Sequence, residues 1–207
     1  MVYNVVYDTD EGGRKMEELN NSKLQQKINA IYKNILKLKK VEVDNNYCAK
    51  LLDWFNEVIC KNIAIYNSKK DEEAVDQELY KKERQHVYWI DFGRNIGSEF
   101  CDCHFAIVIF ESKYTALVIP LTSKKEHSPA WIEENKDCLV DLGVIEGYPK
   151  ESKECYACVF MAQSVSKKRL SRYGDKKTEE YFDIKLSNEQ MEAVCNKLAD
   201  ITYNKIR

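Results

Sequence analysis

The sequence predicts an α+β fold in which a helical hairpin precedes a small, partly closed antiparallel β-barrel that is packed by a terminal helix. Three observations support this. Apolar residues recur at helical spacing early in the chain, the period becomes that of strands from residue 86 onward, and helical spacing returns near the end. We therefore divide the chain into an N-terminal helical extension, residues 1–80, and a barrel domain, residues 81–207.

Two amphipathic helices are predicted first. Within residues 16–40, apolar side chains recur at alternating steps of four and three, which places them on one stripe of a helix. These are Leu24, Ile28, Ile31, Ile35 and Leu38. Asp44 and the two asparagines after it offer an N-cap for a second helix through residues 47–66. The charged segment that follows, residues 67–85, predicts a short third helix or a linker.

Aromatic and β-branched residues then alternate or run together in short segments, as is typical of strands. We predict five strands, at residues 86–92, 104–110, 114–121, 138–145 and 155–165, and a further short one at 181–184. Only three residues separate the second strand from the third, which is a hairpin-length connection.

A terminal helix is predicted from its capping residues and its apolar face. Ser187 and Gln190 have the spacing of a capping box. The residues after them that mark one face are Met191, Val194, Leu198 and Ile201.

The composition is that of an ordinary soluble globular protein, with 44% hydrophobic and 32% charged residues. No apolar stretch approaches the roughly 20 residues that span a bilayer, and the N-terminus carries acids where a signal peptide is basic. We therefore expect a cytoplasmic protein without membrane contact. The net charge of −2 argues against a globally basic nucleic-acid binder, so any polyanion site is a local patch. The candidates are residues 123–125, 167–172 and 175–177, for which a solvated face is the alternative.

Eight cysteines in this setting favour free thiols over a disulfide framework. Cys101 and Cys103, with Cys155 and Cys158, form two close pairs that have the residue types of a zinc site, and His104 offers a substitute ligand. Each pair lies beside or within a strand-like run, so we favour ordinary packing and predict no metal and no cofactor. A zinc-binding interaction module is kept as an alternative.

Several segments carry a family resemblance. "VYWIDFGRNIGSEF", "HFAIVIF" and "TALVIPLTSKK" resemble, in order and spacing, the opening of the MazF/PemK toxins, and "AQSVSKKRL" resembles a later element of that family. The resemblance covers roughly residues 86–205. It implies an SH3-like barrel, as in MazF, PemK and CcdB-like toxins, with a C-terminal helix. It also implies metal-independent, sequence-specific cleavage of single-stranded RNA, in which the 2′-OH attacks the phosphate and leaves 2′,3′-cyclic phosphate and 5′-OH ends.

The resemblance implies two catalytic positions. Thr122 matches the threonine that follows the third strand, whereas His104 stands where the family has its catalytic arginine and Phe105 where a proline follows. Attack by the 2′-OH requires a proton acceptor, and histidine titrates near neutrality, unlike arginine. We therefore predict that His104 and Thr122 are catalytic. A structural histidine is the alternative.

The remaining predicted site residues contact RNA. Thr122 and Ser123 offer hydroxyl donors to phosphate oxygens. Glu99 orients His104 or accepts from a base edge, and basic side chains replace the phosphate contact of the missing arginine. The full predicted set is Arg94, Ser98, Glu99, Ser123, Lys124, Gln163, Lys167, Lys168 and Arg169.

The resemblance also implies partners. Toxins of this family usually form homodimers and are inhibited by a cognate antitoxin that occupies the RNA groove. For the helical extension, residues 1–80, we expect a role as a lid or as an antitoxin-binding surface. A rival interpretation is a non-catalytic toxin that binds a protein target such as gyrase, because the same barrel serves in gyrase poisons.

Overall fold

The computed structural model describes residues 21–38, 44–68, 81–149, 153–175 and 180–203. Contacts divide the chain into two compact units, with the division inside the second helix between Phe55 and Asn56, and each unit is described here by itself. The predicted helix or linker at residues 67–85 lies largely outside the described residues. The predicted domain boundary at residue 80 stays a prediction.

Helices α1 (Asn21–Leu38) and α2 (Asn45–Ser68) form where the apolar spacing predicted them. Asp44 caps α2 as predicted, since its side-chain Oδ1 accepts a hydrogen bond from the Asn46 backbone N–H at 3.0 Å. In the apolar stripe of α1, Leu24, Ile28 and Ile31 are exposed, whereas Ile35 and Leu38 are half-buried. Within the described residues, no helix combines the length and apolar content needed to cross a membrane.

Six antiparallel strands form one sheet. They are β1 (Val87–Asp91), β2 (Cys103–Glu111), β3 (Thr115–Ser123), β4 (Leu139–Val144), β5 (Glu154–Cys158) and β6 (Gln163–Ser166). The strand order is β1-β2-β3-β5-β4, and β6 pairs with β3. Among the described strands β1 and β4 do not pair with each other, so the barrel is not closed. Lys185 bridges to both His86 and Glu146 near this gap, through isolated bridges rather than the predicted strand at 181–184.

The predicted strand at residues 155–165 is two strands, β5 and β6. Along β3, Leu121 lies opposite Ala157 and Val118 lies opposite Gln163. A step of three residues along β3 therefore corresponds to a step of six residues along the opposite segment. The three extra residues form the 3₁₀ turn Val159–Met161. A continuous strand was the wrong prediction because apolar composition does not reveal this excess in register.

The sheet buries side chains on both faces, as expected for alternating strands. The first core contains Ile107, Ile119 and Leu121 together with Met191 and Val194 of the terminal helix α4 (Asn188–Tyr203). The second core lies on the other face and contains Tyr88, Ile90, Ala106, Val108, Val118, Val165 and Leu170. The α+β prediction is therefore confirmed, with the barrel open.

The predicted capping box starts α4. The Ser187 N–H donates to Gln190 Oε1 at 2.8 Å, and the Gln190 N–H donates to Ser187 Oγ at 3.2 Å. Gln190 Nε2 also donates to the Leu142 carbonyl at 2.7 Å, which ties the helix to β4. A short helix α3 (Ala130–Glu134), not predicted from the sequence, anchors a third core through buried Ile132.

Candidate active site

His104 is the second residue of β2, opposite Ile90 of β1. Side chains alternate along a strand, so His104 lies on the same side as Ala106 and Val108, at the end of the second core. The imidazole is half-buried. The Phe100 ring packs against it with centroids 4.4 Å apart and an interplanar angle of 62°. The Phe100 side chain, from the loop before β2, therefore packs against the imidazole near the start of this inner strand.

This environment sets the protonation of His104. Burial lowers its pKa below the ordinary value of 6.5, while the backbone of Leu121, the charge of Asp102 and the backbone of Cys101 oppose the shift. A lowered pKa keeps the imidazole neutral near pH 7. A neutral imidazole has one unprotonated ring nitrogen, which is the atom that can accept a proton.

Thr122 lies near the end of β3 and is half-buried. In the ladder between β2 and β3, Ala106 pairs with Pro120. The ladder between β2 and β3 ends at this pair, and His104 and Thr122 each lie two residues beyond it. The contact of the imidazole with the Leu121 backbone agrees with this placement. The two residues that the sequence predicted to be catalytic therefore lie at the same end of adjacent strands, and their catalytic role stays a prediction.

Phe105, at the position of the family proline, points to the opposite face. Its ring is 4.9 Å from Trp89 and 4.8 Å from Tyr148, centroid to centroid, in an aromatic cluster that also contains Tyr173. A proline offers no aromatic ring for such a cluster. The departure at this position is thus accommodated by packing beside the first core.

The loop between β1 and β2 carries Ser98 and Glu99 on an exposed turn. Its backbone is held by Asn95, whose Nδ2 donates to the Phe92 and Phe100 carbonyls at 3.2 and 2.7 Å. Arg94 forms an ion pair with Asp102, with Nη2 and Oδ1 2.6 Å apart. The loop therefore presents Ser98 and Glu99 to solvent, while Arg94 is engaged by the residue two positions before His104.

Two of the predicted RNA-binding lysines are held by carboxylates. Lys124 Nζ is 2.5 Å from Asp141 Oδ2 and 2.7 Å from Glu154 Oε2. These hydrogen bonds raise the pKa of Lys124 well above its ordinary range. Lys167 is buried, and its Nζ is 2.5 Å from Glu111 Oε2. Both charges are largely balanced within the protein, which weakens the case for direct phosphate contacts.

The side chain of Arg169 contacts the last residue of β1. Its Nη2 donates to the Asp91 carbonyl oxygen at 2.7 Å, and Asp91 directly follows the residue opposite His104. Burial lowers the pKa of Arg169 and the Asp91 charge opposes this, but a guanidinium stays protonated at physiological pH. Lys168 precedes it in a 3₁₀ turn, where its backbone N–H donates to Ser166 Oγ at 3.4 Å. Gln163 is half-buried at the start of β6.

The cysteine pairs do not form a metal centre in the described part of the chain, where no group of three His, Cys, Asp or Glu side chains is placed to hold a metal ion. Cys155 and Cys158 are buried, and burial raises the pKa of Cys158 to about 12. Because zinc binds the thiolate, these neutral thiols suit packing.

Sequence reasoning missed the aromatic surroundings of Thr122. Tyr156 of β5 lies directly opposite Thr122, and Lys124 Nζ is 5.1 Å from the Tyr156 ring centroid. Trp131 of α3 packs against the third core beside Tyr156 and Phe100. For Tyr156, the sequence offered one indication of a position on a strand, the alternating pattern in the run "ECYAC". For Trp131, which stands alone before acidic residues, the sequence gave no indication of a position near Thr122.

A family model of the PemK-like, MazF-like toxins of type II toxin–antitoxin systems matches residues 83–202. The chain belongs to this family. The family resemblance read from the sequence is thereby confirmed, and the described helices α1 and α2 precede the matched region. No curated protein matches the toxin.

Solved structures that are similar to the chain include two from Deinococcus radiodurans. The crystal structure of MazF (Form-I) from Deinococcus radiodurans has a TM-score of 0.39 and 16% identity, covering 58% of this chain and 96% of that chain. The MazE–MazF (Form-II) crystal structure from the same organism has a TM-score of 0.37 and 13% identity, covering 61% and 99%.

Proposed function

We propose that this toxin is a metal-independent, sequence-specific endoribonuclease that cleaves single-stranded RNA. The observation that supports the proposal is that His104 and Thr122 lie at the same end of adjacent strands, with the imidazole half-buried, its pKa lowered and its ring in contact with the Leu121 backbone. Membership of the MazF-like toxin family supports it. The reaction is an intramolecular phosphoryl transfer, in which positioning and charge stabilisation supply most of the rate.

In the proposed mechanism the neutral imidazole of His104 accepts the proton of the ribose 2′-OH. The 2′-oxygen then forms a bond to the adjacent phosphorus while the bond from phosphorus to the 5′-oxygen breaks. The leaving 5′-oxygen keeps the bonding electron pair and takes a proton from water, and the imidazolium of His104 returns its proton to the solvent, which gives 5′-OH and 2′,3′-cyclic phosphate ends. The Thr122 hydroxyl donates a hydrogen bond to a non-bridging phosphate oxygen, where negative charge develops.

The positive charge that the family arginine supplies must come from elsewhere. We assign it to Arg169, with Lys168 beside it, because Arg169 lies at the end of the strand that faces His104. Lys124 and Lys167 hold carboxylates of neighbouring strands and therefore position the sheet. Ser98, Glu99 and Ser123 remain proposed RNA contacts from the loop and the strand end, as do Arg94 and Gln163.

The proposal includes partners. As a type II toxin, the protein is expected to bind a cognate antitoxin and to act in the cytoplasm as a homodimer. The exposed apolar stripe of α1 supports an intermolecular contact. We propose that the helical extension, residues 1–80, contributes to that contact or to antitoxin binding.

The experiment is cleavage of a long RNA by purified protein in EDTA, followed by chemical identification of the new ends. Cyclic phosphate and 5′-OH ends that persist in chelator support the proposal. We expect His104→Ala to slow cleavage by at least a hundredfold, as for loss of a general base. His127→Ala is the matched control, because His127 lies exposed in a loop. The lowered pKa of His104 also places the acidic limb of the activity below pH 6.5.

Two outcomes contradict the proposal. Cleavage that is unaffected by His104→Ala removes the assigned base, and His104→Arg then tests whether the family residue works in this position. Absence of any cleavage, with toxicity retained in cells, favours the alternative of a toxin that binds a protein target.

A further inference from the structure

We propose that Phe100 is a positioning residue for His104, whose ring fixes the orientation of the imidazole and keeps water away from one side of it. The inference rests on the proposed function, in which His104 is the base. The centroids of the two rings are 4.4 Å apart, close to the short limit of about 4.5 Å for aromatic pairs. Rings in such close contact leave no room for a water molecule between them.

Phe100 is itself held by its backbone and by its ring. Its backbone carbonyl accepts a hydrogen bond from Asn95 Nδ2 at 2.7 Å. Its ring meets the buried Phe92 ring at a centroid distance of 5.2 Å and an interplanar angle of 79°, and it packs against both the second and the third core. The loop before β2 therefore presents the Phe100 ring to the imidazole before any RNA arrives.

His104 needs such a contact because the backbone does not orient its ring. The outer side-chain torsion of histidine has a broad, roughly two-fold preference, so strand β2 alone does not select the direction of the two ring nitrogens. The Phe100 ring and the Leu121 backbone contact the imidazole and restrict this torsion. A base must lie within about 3 Å of the proton that it takes, so the orientation decides whether a ring nitrogen reaches the 2′-OH.

The Phe100 ring also contributes to the burial that keeps the imidazole of His104 neutral. Three neighbouring groups favour the charged imidazolium, namely the Leu121 backbone, the Asp102 carboxylate and the Cys101 backbone. On β1 the residue opposite His104 is Ile90, which carries no charge. Burial outweighs the three groups, since the pKa is lowered. The charge of Asp102 is itself balanced by Arg94, whose Nη2 is 2.6 Å from Oδ1.

The test follows the three histidines of the full-length protein by NMR as the pH is varied, and it measures RNA cleavage over the same range. The His104 signal is identified by its loss in His104→Gln, and His86 and His127 are internal references. We expect Phe100→Ala to raise the pKa of His104 toward its ordinary value of 6.5, because water then reaches the uncovered side of the ring. The acidic limb of the cleavage rate should move to higher pH by the same amount. A merely structural role would lower the rate at every pH and move neither quantity.

A second variant, Phe100→Leu, covers the case in which Phe100→Ala folds poorly. Leucine keeps an apolar side chain beside the two cores but loses the planar ring. We expect it to retain most of the lowered pKa of His104 and to slow cleavage about tenfold at about pH 8, where the imidazole is neutral, because the orientation is lost. Phe110→Ala is the control, since Phe110 lies on the same strand and is 64% exposed, and it should change neither the pKa nor the rate.

The outcomes separate the role of Phe100 from the proposed function. If the wild type cleaves RNA and the two Phe100 variants leave both the pKa of His104 and the cleavage profile unchanged, the positioning role is wrong and the nuclease proposal stands. If Phe100→Ala raises the pKa of His104 but the wild type cleaves no RNA, the effect of Phe100 on the imidazole stands and the nuclease proposal fails.

Discussion

The first helix and the sheet place similar apolar side chains in opposite environments. Ile31 of α1 is 57% exposed, whereas Ile107 and Ile119 of the central strands are fully buried. Both regions have a clear apolar period in the sequence. Among the described residues the side chains of the sheet are buried by residues of their own unit, whereas Leu24, Ile28 and Ile31 of α1 are exposed. An amphipathic spacing therefore predicts that one face of an element is buried, but it does not predict which residues bury that face.

The largest expected effect is in the sheet core. Ile107→Ala removes buried methyl groups from the first core and should lower the free energy of unfolding by about 2–5 kcal/mol. Phe110→Ala in the same strand is the control, because Phe110 is 64% exposed and its loss should cost well under half as much. Urea denaturation followed by circular dichroism measures both. Equal losses would show that burial does not distinguish the two positions.

An intermediate effect is expected at the buried ion pair. Glu111→Gln removes the carboxylate from Lys167, whose side chain is 5% exposed, and leaves a buried charge without its counterion. We expect a loss of roughly 2 kcal/mol in the free energy of unfolding. Glu126→Gln, in an exposed loop, is the control and should change little. If Glu111→Gln leaves the free energy of unfolding unchanged, the Lys167 amine reaches solvent in the variant.

The smallest effect on stability is expected in the helices. Ile31→Asn should change the free energy of unfolding by less than about 0.5 kcal/mol, because the side chain is already exposed. If the stripe is the proposed homodimer contact, the same variant should shift the mass measured by light scattering toward the monomer. A loss above 1 kcal/mol in a protein that stays monomeric would instead show that the stripe is covered within the chain, and the comparison would fail.

The sequence predicted those features of the fold that depend on local spacing. The Asp44 cap, the capping box at Ser187 and the strands β1 to β4 follow from residues close together in the chain. The pairing of β2, which carries His104, with β3, which carries Thr122, followed from the three-residue connection between them. Such features need no knowledge of distant partners.

The features that the sequence did not predict depend on distant residues. The carboxylate that holds Lys167 lies 56 residues away, and the carboxylates of Lys124 lie 17 and 30 away. A lysine followed by lysine and arginine looks the same in sequence whether its amine is solvated or buried. The split of β5 from β6 has the same origin, because a three-residue excess appears only when both segments meet β3.

The double carboxylate contact of Lys124 has a consequence for ions in solution. Because two carboxylates already balance its charge, Lys124 neutralises little of the charge of an approaching phosphate, and few counterions are released from the RNA. The proposed RNA binding beside Lys124 should therefore depend only weakly on salt concentration. The salt dependence of the whole complex then reports on phosphate contacts made away from Lys124.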